Sequence, residues 1–492
     1  MSTEPLPSHQ TRRDFIRRAS CAAVGTWALT STIRDLRLIN AAMAQSPAPG
    51  YKALVCVFLS GGNDANNWIV PTDTPSYAEY SSIRGILALP QSSLLSLRTG
   101  PNAGDPTYMD ADGHNFGFHP NCGELQTLFG EGKLAMLLNV GTLLRPITLS
   151  EYMTNATGTR PPQLFSHSDQ VTQWQTSIPD RPPTTGWGGR VADLLNATLN
   201  PGGNISMSVS LSGANTFEIG NIVSQYQVST TGAVTLGGSL MTSNGARAKA
   251  LKDILALSNT NLQRTAYADV VERAIAVGDL LNANIASTAL PTDTPPGTWS
   301  WSVPFPNTTL GNQLKMVARL IAARGPSAFN MSRQIFFCSV GGYDTHTAQI
   351  TLSPTVNPTT GTHANLLNEV SECLYAFQRA IEQLGCSNDV TTFTASDFSR
   401  TFPTNSQGSD HGWGSHHLIM GGSVKGGHTY GHLPTLAING PDDTGTGRWL
   451  PTLSVDQYSA TLAKWFGVDN TSMGAVFPNL SRFAASDLGF ML

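Results

Sequence analysis

Carboxylate and imidazole side chains recur directly after the apolar runs of this sequence. Asp64 follows the first of these runs, Asp344 and His346 follow a second, and Asp397 and His411 follow a third. Zinc binds imidazole nitrogen and carboxylate oxygen, whereas harder ions prefer oxygen ligands. The five side chains together would supply ligands for one or two divalent ions such as Zn, Mn or Ca. Two such ions can stabilise the attacking and leaving oxygens of a phosphoryl or sulfuryl transfer.

Each of these residues also has a purely structural interpretation. Asp64 follows a Gly-Gly pair, where an Asx turn or a helix N-cap is common. Asp344 and His346, in the sequence DTH, could form a capping network, and Asp397 could cap the loop that follows it. The metal-site hypothesis therefore rests on the shared placement of these residues after strands.

Other histidines are weaker candidates for metal ligands. His416 and His417 are adjacent, so in an extended segment they face opposite ways, and we expect one of them to be structural. His114 and His119 lie in the sequence DGHNFGFHP, where hydrogen bonding within a loop is the more common role. The stretch 396–418, which contains few aliphatic residues, is predicted to be a polar loop forming one wall of the site.

A nucleophile is suggested by the sequence PPQLFSHSDQ, which contains Ser166, His167 and Ser168 before a predicted helix. A serine at a helix start lies near free backbone N–H groups and a dipole that favours an anion. The alternative is a capping box between Ser166 and Asp169. No G-x-S-x-G, G-x-G-x-x-G or P-loop motif occurs, which argues against an α/β-hydrolase or a nucleotide-binding protein.

Two cations are candidates for holding a substrate anion, Arg400 and Lys425. Several tryptophans could stack on sugar rings or could equally be half-buried packing residues. These are Trp68, Trp174, Trp187, Trp413 and Trp449.

The elements that must position these residues alternate between two types. Apolar, β-rich runs that lead into polar or glycine-rich loops predict buried strands at 52–60, 133–141, 333–342 and 390–398. Apolar residues at spacings of three and four predict helices. These helices cover 247–257, 267–285, 310–323, 363–385 and 455–467. The alternation predicts an α/β fold with a mostly parallel sheet, whose sites form at the carboxyl ends of the strands.

The chain is predicted to contain one large domain, residues 45–492, with two insertions. Residues 200–240 alternate apolar and small polar residues, which predicts a small β insertion. Residues 288–309 are Pro-rich and predict an ordered surface loop.

The amino terminus, residues 1–44, is predicted to be a twin-arginine (Tat) signal peptide. Arg12 and Arg13 precede a short apolar run, and AAMAQ offers a cleavage site after Ala44. The alternative is a basic surface helix. The run is too short and polar to span a membrane, so we expect a periplasmic or secreted protein that is a passenger of the Tat translocase.

The charge of the chain bears on its binding partners, and its cysteine content bears on possible disulfides. Charged residues are 13% of the 492 residues and the net charge is −4, so no nucleic-acid partner is indicated. Five cysteines follow the signal. Cys56 and Cys338 are predicted core residues, and Cys373 with Cys386 is the favoured disulfide.

Four segments resemble the bacterial family catalogued as domain of unknown function 1501, whose members commonly begin with a Tat signal. The segments are LVCVFLSGGNDANNWIVP, GGYDTHTAQ, DFSRTFPTNSQGSDHGWGSHHLIMGGSVKGG and VDQYSATLAKWFGV, in order from about residue 52 to 467. The family is similar to the alkaline phosphatase and sulfatase superfamily. That resemblance implies an α/β/α sandwich with a two-metal site at the strand ends.

The resemblance also implies metal-ligand roles for Asp64, Asp344, His346, Asp397 and His411. Two positions depart from the superfamily's pattern. His346 lies two residues after Asp344 instead of four, and Phe398 stands where a histidine follows the next aspartate. No C-x-P-x-R or S-x-P-x-R sulfatase motif occurs, so the nucleophile has no match.

The sequence thus favours an exported metal-dependent hydrolase of phosphate or sulfate esters, acting on a small molecule or a polysaccharide. Ser166, Ser168 or water would attack, His167 lies beside the two serines, and Arg400 would hold the anion. The alternative is an exported binding or assembly protein that keeps the fold without catalysis.

Overall fold

The computed structural model describes residues 50–97, 112–155, 157–233, 245–257, 261–288, 290 and 299–492. The predicted signal peptide, residues 1–44, lies outside these ranges. So do residues 234–240 of the first predicted insertion, and residues 289 and 291–298 of the Pro-rich stretch at 288–309. No helix among the described residues is both long and apolar enough to cross a membrane.

A large, mostly parallel sheet forms the centre of an α/β fold. The strands are, in chain order, β1 (Lys52–Leu59), β2 (Ile69–Pro71), β3 (Leu95–Ser96), β4 (Phe116–Phe118), β5 (Leu134–Gly141), β6 (Ser208–Ser210), β7 (Tyr226–Ser229), β8 (Gly232–Ala233), β9 (Arg333–Val340), β10 (Val390–Ser396), β11 (Ser415–Gly421), β12 (Thr429–Tyr430) and β13 (Leu453–Ser454). The strand order of the large sheet is β12-β5-β11-β10-β1-β9-β6-β7-β8, and β13 also pairs with β5. A second, antiparallel sheet has the order β2-β4-β3.

Helices flank the sheet, and the strands predicted from apolar runs are its central members. Successive residues of β1 are buried from Ala53 to Leu59, so both faces of the sheet are covered. The helices are α1 (Thr74–Arg84), α2 (Gly123–Gly130), α3 (Leu149–Thr154), α4 (His167–Thr176), α5 (Trp187–Leu199), α6 (Ala246–Leu255), α7 (Leu262–Ser287), α8 (Thr309–Ala322), α9 (Thr362–Gln383), α10 (Val455–Phe466) and α11 (Met473–Val476). The predictions for α6 to α10 are confirmed to within a few residues.

The carboxyl ends of three parallel strands lie side by side. β1 pairs with both β9 and β10, and Leu59 is level with Val340 on one side and with Ser396 on the other. Polar residues that follow these three strands must therefore emerge at one edge of the sheet. This register is what makes a shared site possible.

The stretch 396–418 was expected to be a loop, and that expectation is wrong at its end. Residues from Ser415 onward form β11, an antiparallel strand buried between β10 and β5. His416 and His417 are both buried on it. His416 accepts a hydrogen bond from the backbone of Asn139, and His417 packs against aromatic rings, neighbours that the local sequence does not reveal.

The region of the predicted β insertion extends the main sheet. β6 pairs in parallel with β9 and β7 pairs in parallel with β6, while β7 and β8 form an antiparallel hairpin at the edge. The described part of 200–240 is thus continuous with the central sheet.

The predicted disulfide between Cys373 and Cys386 is not formed. The five described cysteines are free and buried. Cys373 lies within α9 and Cys386 lies beyond its end. At about 1.5 Å of rise per residue, the intervening helix separates their Cα atoms by more than the roughly 7 Å between Cα atoms that a disulfide allows. Cys56 and Cys338 are core residues, as predicted.

Candidate metal centre

The candidate site lies where β1, β9 and β10 end. Asp344 follows β9, Asp397 follows β10 directly, and His411 precedes β11. The fourth contributor is α4, whose first residue is His167. An antiparallel bridge between Arg400 and His411 holds the segment before β11 against the segment after β10.

Two glycines after β1 allow these loops to approach one another. A Cβ at Gly61 would lie 2.5 Å from the backbone nitrogen of Asp344, and a Cβ at Gly62 would lie 2.4 Å from the ring of Phe398. Both glycines have positive φ, 116° and 83°, which other residues rarely adopt. The Gly61 N–H donates to Asp397 Oδ1 at 3.0 Å. The Gly-Gly pair therefore brings the three strand ends within contact distance.

Three imidazoles point their Nε2 atoms at one carboxylate oxygen. Asp344 Oδ1 lies 3.5 Å from His167 Nε2, 3.1 Å from His346 Nε2 and 3.3 Å from His411 Nε2. The ligand atoms of His167, Asp344 and His411 all lie within 4.8 Å of one another. These four side chains are between 22 and 46% exposed. The group is therefore open to solvent on one side.

The other ring nitrogen of each of the three imidazoles, Nδ1, lies within hydrogen-bond distance of an oxygen acceptor. His167 Nδ1 lies 2.7 Å from Asp397 Oδ2, and His346 Nδ1 lies 2.8 Å from Asp410 Oδ1. His411 Nδ1 lies 2.7 Å from the carbonyl oxygen of Phe165. Carboxylates and carbonyls only accept, so the proton of each neutral ring resides on Nδ1. Metal-binding histidines usually have such outer partners.

With the protons on Nδ1, the Nε2 atoms of the three rings carry lone pairs that face one another around Asp344 Oδ1. His346 Nε2 lies 2.8 Å from His411 Nε2, and His167 Nε2 is buried with no hydrogen-bond partner among the described residues. A divalent cation bound by these atoms would satisfy all of them. Burial lowers the pKa of His411, which disfavours an extra proton there as the alternative. The residues present therefore fit a divalent metal ion.

Arg400 lies beneath this group instead of at its open side. Its guanidinium is fully buried, and Nη1 donates to Asp344 Oδ1 at 2.7 Å while Nη2 donates to the carbonyl of Ser409. Burial raises the pKa of Asp344, but the hydrogen bond and charge of Arg400 outweigh it, so that pKa lies below its ordinary value. Arg400 keeps Asp344 ionised and oriented. It does not occupy the anion-holding position that we expected from the sequence.

Asp64 is held in a buried ion pair outside the group. Its carboxylate accepts hydrogen bonds from Arg84 of α1 and from Gln349, and both Arg84 and Asp64 are fully buried. Burial raises the pKa of Asp64, and the charge of Arg84 more than offsets this. With its oxygens occupied by these donors, Asp64 does not take the ligand position assigned to it from the sequence.

Ser166 and Ser168 both bond to a neighbouring carboxylate. Ser166 Oγ donates to Asp169 Oδ2 at 2.6 Å, and Ser168 Oγ donates to the same oxygen at 3.3 Å. Ser166 is the N-cap residue of α4, but its side chain makes no capping hydrogen bond. The alternative of a capping box is therefore not realised. The serine hydroxyls lie beside His167 with a carboxylate as their proton acceptor.

The remaining histidines have structural positions. His416 Nδ1 accepts from the backbone N–H of Asn139 at 3.0 Å, and His417 packs against Trp174 and Tyr458. Burial lowers the pKa of His416 to about 4 and of His417 to about 3. Both rings are thus neutral core groups.

Two further histidines form loop hydrogen bonds, and the tryptophans are packing residues. His114 Nδ1 lies near Asp73, and His119 Nδ1 accepts from the backbone of Asn121. The tryptophans considered as sugar platforms are at most 4% exposed: Trp68, Trp174, Trp187, Trp413 and Trp449.

His167 is the group member whose position sequence reasoning missed. The sequence predicts His167 as part of a nucleophile region, whereas its ring completes the set of imidazoles around Asp344. The signal available was a histidine at a predicted helix start, since side chains there lie at the carboxyl edge of the sheet when the helix follows a parallel strand.

Two solved structures have distant similarity to this chain. Ps i-CgsB in complex with k-i-k-neocarrahexaose has a TM-score of 0.33 and 9% identity, over 89% of this chain and 77% of that one. The C-terminal periplasmic domain of EcEptC from Escherichia coli, in complex with Zn, has a TM-score of 0.30 and 11% identity, over 77% and 74%.

Sequence comparison is more specific. No curated protein matches the chain. The model of the family described as protein of unknown function (DUF1501) matches residues 51–475, which is most of the chain. The chain is therefore a member of the DUF1501 family.

Proposed function

We propose that this protein is a metal-dependent hydrolase of phosphate or sulfate esters. The observation that carries the proposal is the convergence of three Nε2 atoms and Asp344 Oδ1 at a half-open position, each imidazole with an oxygen partner behind it. Nitrogen-rich ligand sets suit zinc better than calcium. A bound divalent ion would polarise the ester oxygen and lower the pKa of bound water.

The residues of the chain divide the remaining work. Asp397 and Asp410 fix the tautomers of His167 and His346. Arg400 keeps the carboxylate of Asp344 ionised. Either a water molecule or a hydroxyl of the serine pair beside His167 attacks the phosphorus or sulfur, with Asp169 accepting the proton of a serine nucleophile. The bond to the alcohol breaks, the alcohol leaves with a proton from water, and water then hydrolyses any seryl ester that formed.

Ester turnover by the zinc-loaded protein tests this proposal. We expect hydrolysis of an aryl phosphate or an aryl sulfate, lost in His411→Ala and retained in His432→Ala, whose exposed ring bonds to Asp112. Loss in Ser166→Ala identifies a serine nucleophile, and retention in both Ser166→Ala and Ser168→Ala identifies water. Absence of turnover of both ester classes by zinc-loaded wild-type protein would overturn the proposal.

An exported binding or assembly protein is the second candidate. The observation that favours it is the Asp64–Arg84 ion pair, since it occupies a carboxylate that a second metal ion would need. A protein that binds zinc and esters without turnover would support this candidate. Export itself is proposed from Arg12, Arg13 and the cleavage sequence AAMAQ alone, with a periplasmic or secreted location and the Tat translocase as the export partner.

A further inference from the structure

We propose that Arg448 is the residue that receives the tetrahedral oxyanion of the substrate beside the metal centre. The proposal deepens the ester-hydrolase function proposed above and rests on it for the identity of the substrate. Neither cation suggested by the sequence is suited to this role. Arg400 is buried against Asp344. Lys425 follows the far end of β11, where Gly421 pairs with Thr391 at the start of β10, whereas the site lies at the end of β10.

Arg448 is attached to two residues that build the metal centre. Its Nε donates to the carbonyl oxygen of His411 at 2.8 Å. Its guanidinium lies over the ring of Phe165, 4.5 Å from the centroid. Phe165 in turn accepts from His411 Nδ1 and lies two residues before His167. Arg448 thus contacts the backbone of His411 and the segment that leads into His167, two of the candidate metal ligands.

The donors at the end of the guanidinium remain available. Among the described residues, the Arg448 side chain makes a single hydrogen bond, from Nε to the His411 carbonyl. No carboxylate of the described residues forms an ion pair with its guanidinium. The residue is half-buried. An arginine fixed at Nε and stacked on an aromatic ring can offer Nη1 and Nη2 together to two oxygens of a phosphate or sulfate group.

A dedicated loop holds the backbone of Arg448. Oδ1 of the buried Asp443 accepts from the backbone N–H groups of Gly445 and Gly447 at 2.8 Å and of Arg448 at 3.1 Å. The carbonyl of Arg448 accepts from the Thr444 hydroxyl at 2.8 Å. Such preorganisation reduces the entropy lost when the side chain binds an anion.

Binding of inorganic phosphate and of sulfate to the zinc-loaded protein, measured by calorimetry, tests the proposal. We expect Arg448→Gln to weaken binding of the preferred anion at least tenfold, because a charged hydrogen-bond donor is lost. Arg448→Lys, which keeps the charge without the planar fork, should weaken it less. Zinc content, measured by elemental analysis, should match that of wild type. Tighter binding of phosphate indicates phosphate esters, and tighter binding of sulfate indicates sulfate esters.

Arg160→Gln is the matched control. Arg160 also bonds through Nε, to Asn155, and also lies over an aromatic ring, that of Tyr152 at 4.7 Å. Among the described residues, no hydrogen bond or cation–ring contact joins Arg160 to Phe165 or His411. We therefore expect the anion affinity of Arg160→Gln to stay within about twofold of wild type, less than one charged hydrogen bond contributes.

The outcomes separate this inference from the proposed function. Anion binding that depends on Arg448, without ester turnover, would refute the hydrolase and leave the inference standing. Unchanged affinity in Arg448→Gln, or no binding of either anion by wild type, would refute the inference whether or not esters are hydrolysed. If Arg448→Gln loses zinc or stability, the anion affinity of Arg448→Lys is the test instead. An anion affinity equal to that of wild type in Arg448→Lys would refute the bidentate contact.

Discussion

His346 Nε2 lies 2.8 Å from His411 Nε2, although the opposite nitrogen of each ring bonds to an oxygen that can only accept a proton. Two neutral imidazoles in these tautomers cannot hydrogen-bond to each other, because both present a lone pair. A cation between them removes the conflict. This relationship is the strongest physical indication of a metal ion in the described part of the chain.

Removing an inner imidazole should remove the metal. We expect His411→Ala to lower zinc affinity at least 100-fold, as one nitrogen ligand is lost and His346 loses its counterpart. Competition with a chromophoric chelator measures the affinity. His432→Ala, which removes an exposed ring bonded to Asp112, serves as the control and should bind zinc like wild type. Wild-type affinity in His411→Ala would exclude His411 as a ligand.

Removing an outer carboxylate should weaken the metal site without removing a ligand. The two oxygens of Asp397 accept from His167 Nδ1 and from the Gly61 N–H. Asn offers one acceptor for these two donors, which favours the His167 tautomer that cannot bind the metal through Nε2. We expect Asp397→Asn to lower zinc affinity roughly 10- to 100-fold.

The exposed pair of Asp487 with Lys464 supplies the control for this change. Asp487→Asn alters charge by the same amount and should leave zinc affinity unchanged. Equal affinities in Asp397→Asn and Asp487→Asn would show that the carboxylate does not orient His167.

Asp64 should contribute to stability and not to metal stoichiometry. Removing its charge leaves Arg84 unpaired in a fully buried position. We expect Asp64→Asn to lower the free energy of unfolding by about 3–5 kcal/mol, as when other buried ion pairs are broken. Urea denaturation measures the change. Loss of zinc in Asp64→Asn with unchanged stability would instead support the ligand role inferred from the sequence.

Glu218 should make stability fall as pH rises. Its side chain is fully buried with Oε1 unpaired among the described residues, and burial raises its pKa to about 8. The unfolded chain releases this proton near 4.5, so between pH 4.5 and about 8 the unfolded state binds fewer protons. Glu218 thus stabilises the fold fully below pH 4.5 and loses that contribution through this window.

Glu218→Gln should remove that dependence. We expect its free energy of unfolding at pH 8 to exceed that of wild type by a few kcal/mol, at roughly 1.4 kcal/mol per pKa unit. Urea denaturation at pH 5, 6.5 and 8 measures the slope, and the exposed Glu79→Gln serves as the control. Parallel pH profiles for Glu218→Gln and wild type would refute an ionisation of Glu218 in this range.

The sheet was predictable because its strands are continuous apolar runs buried on both faces. The group at their ends was predictable in part, since Asp344, Asp397 and His411 each follow such a run. β11 was not, because His416 and His417 are polar by residue type, whereas burial against Trp174 and Tyr458 makes them core residues.

Partners distant in sequence explain the other differences. Asp64 was predicted to be a metal ligand, but it forms an ion pair with Arg84 instead. Arg84 lies in a helix without a clear apolar period, and the sequence around Asp64 does not indicate this ion pair. The disulfide prediction followed from the expected export and from setting Cys56 and Cys338 aside as core residues, and it left out the rigid length of the helix that separates Cys373 from the position of Cys386. Ion pairs between residues distant in the chain are not displayed locally by a single sequence.

The most direct test of the metal centre is zinc X-ray absorption on the purified protein, with elemental analysis of the same sample. We predict one zinc ion per chain, bound by nitrogen and oxygen at about 2.0–2.2 Å with the scattering pattern of several imidazoles. His411→Ala should reduce the imidazole contribution. Failure of chelator-free protein to bind any added zinc, manganese or calcium would contradict the account, and so would a first shell without imidazole.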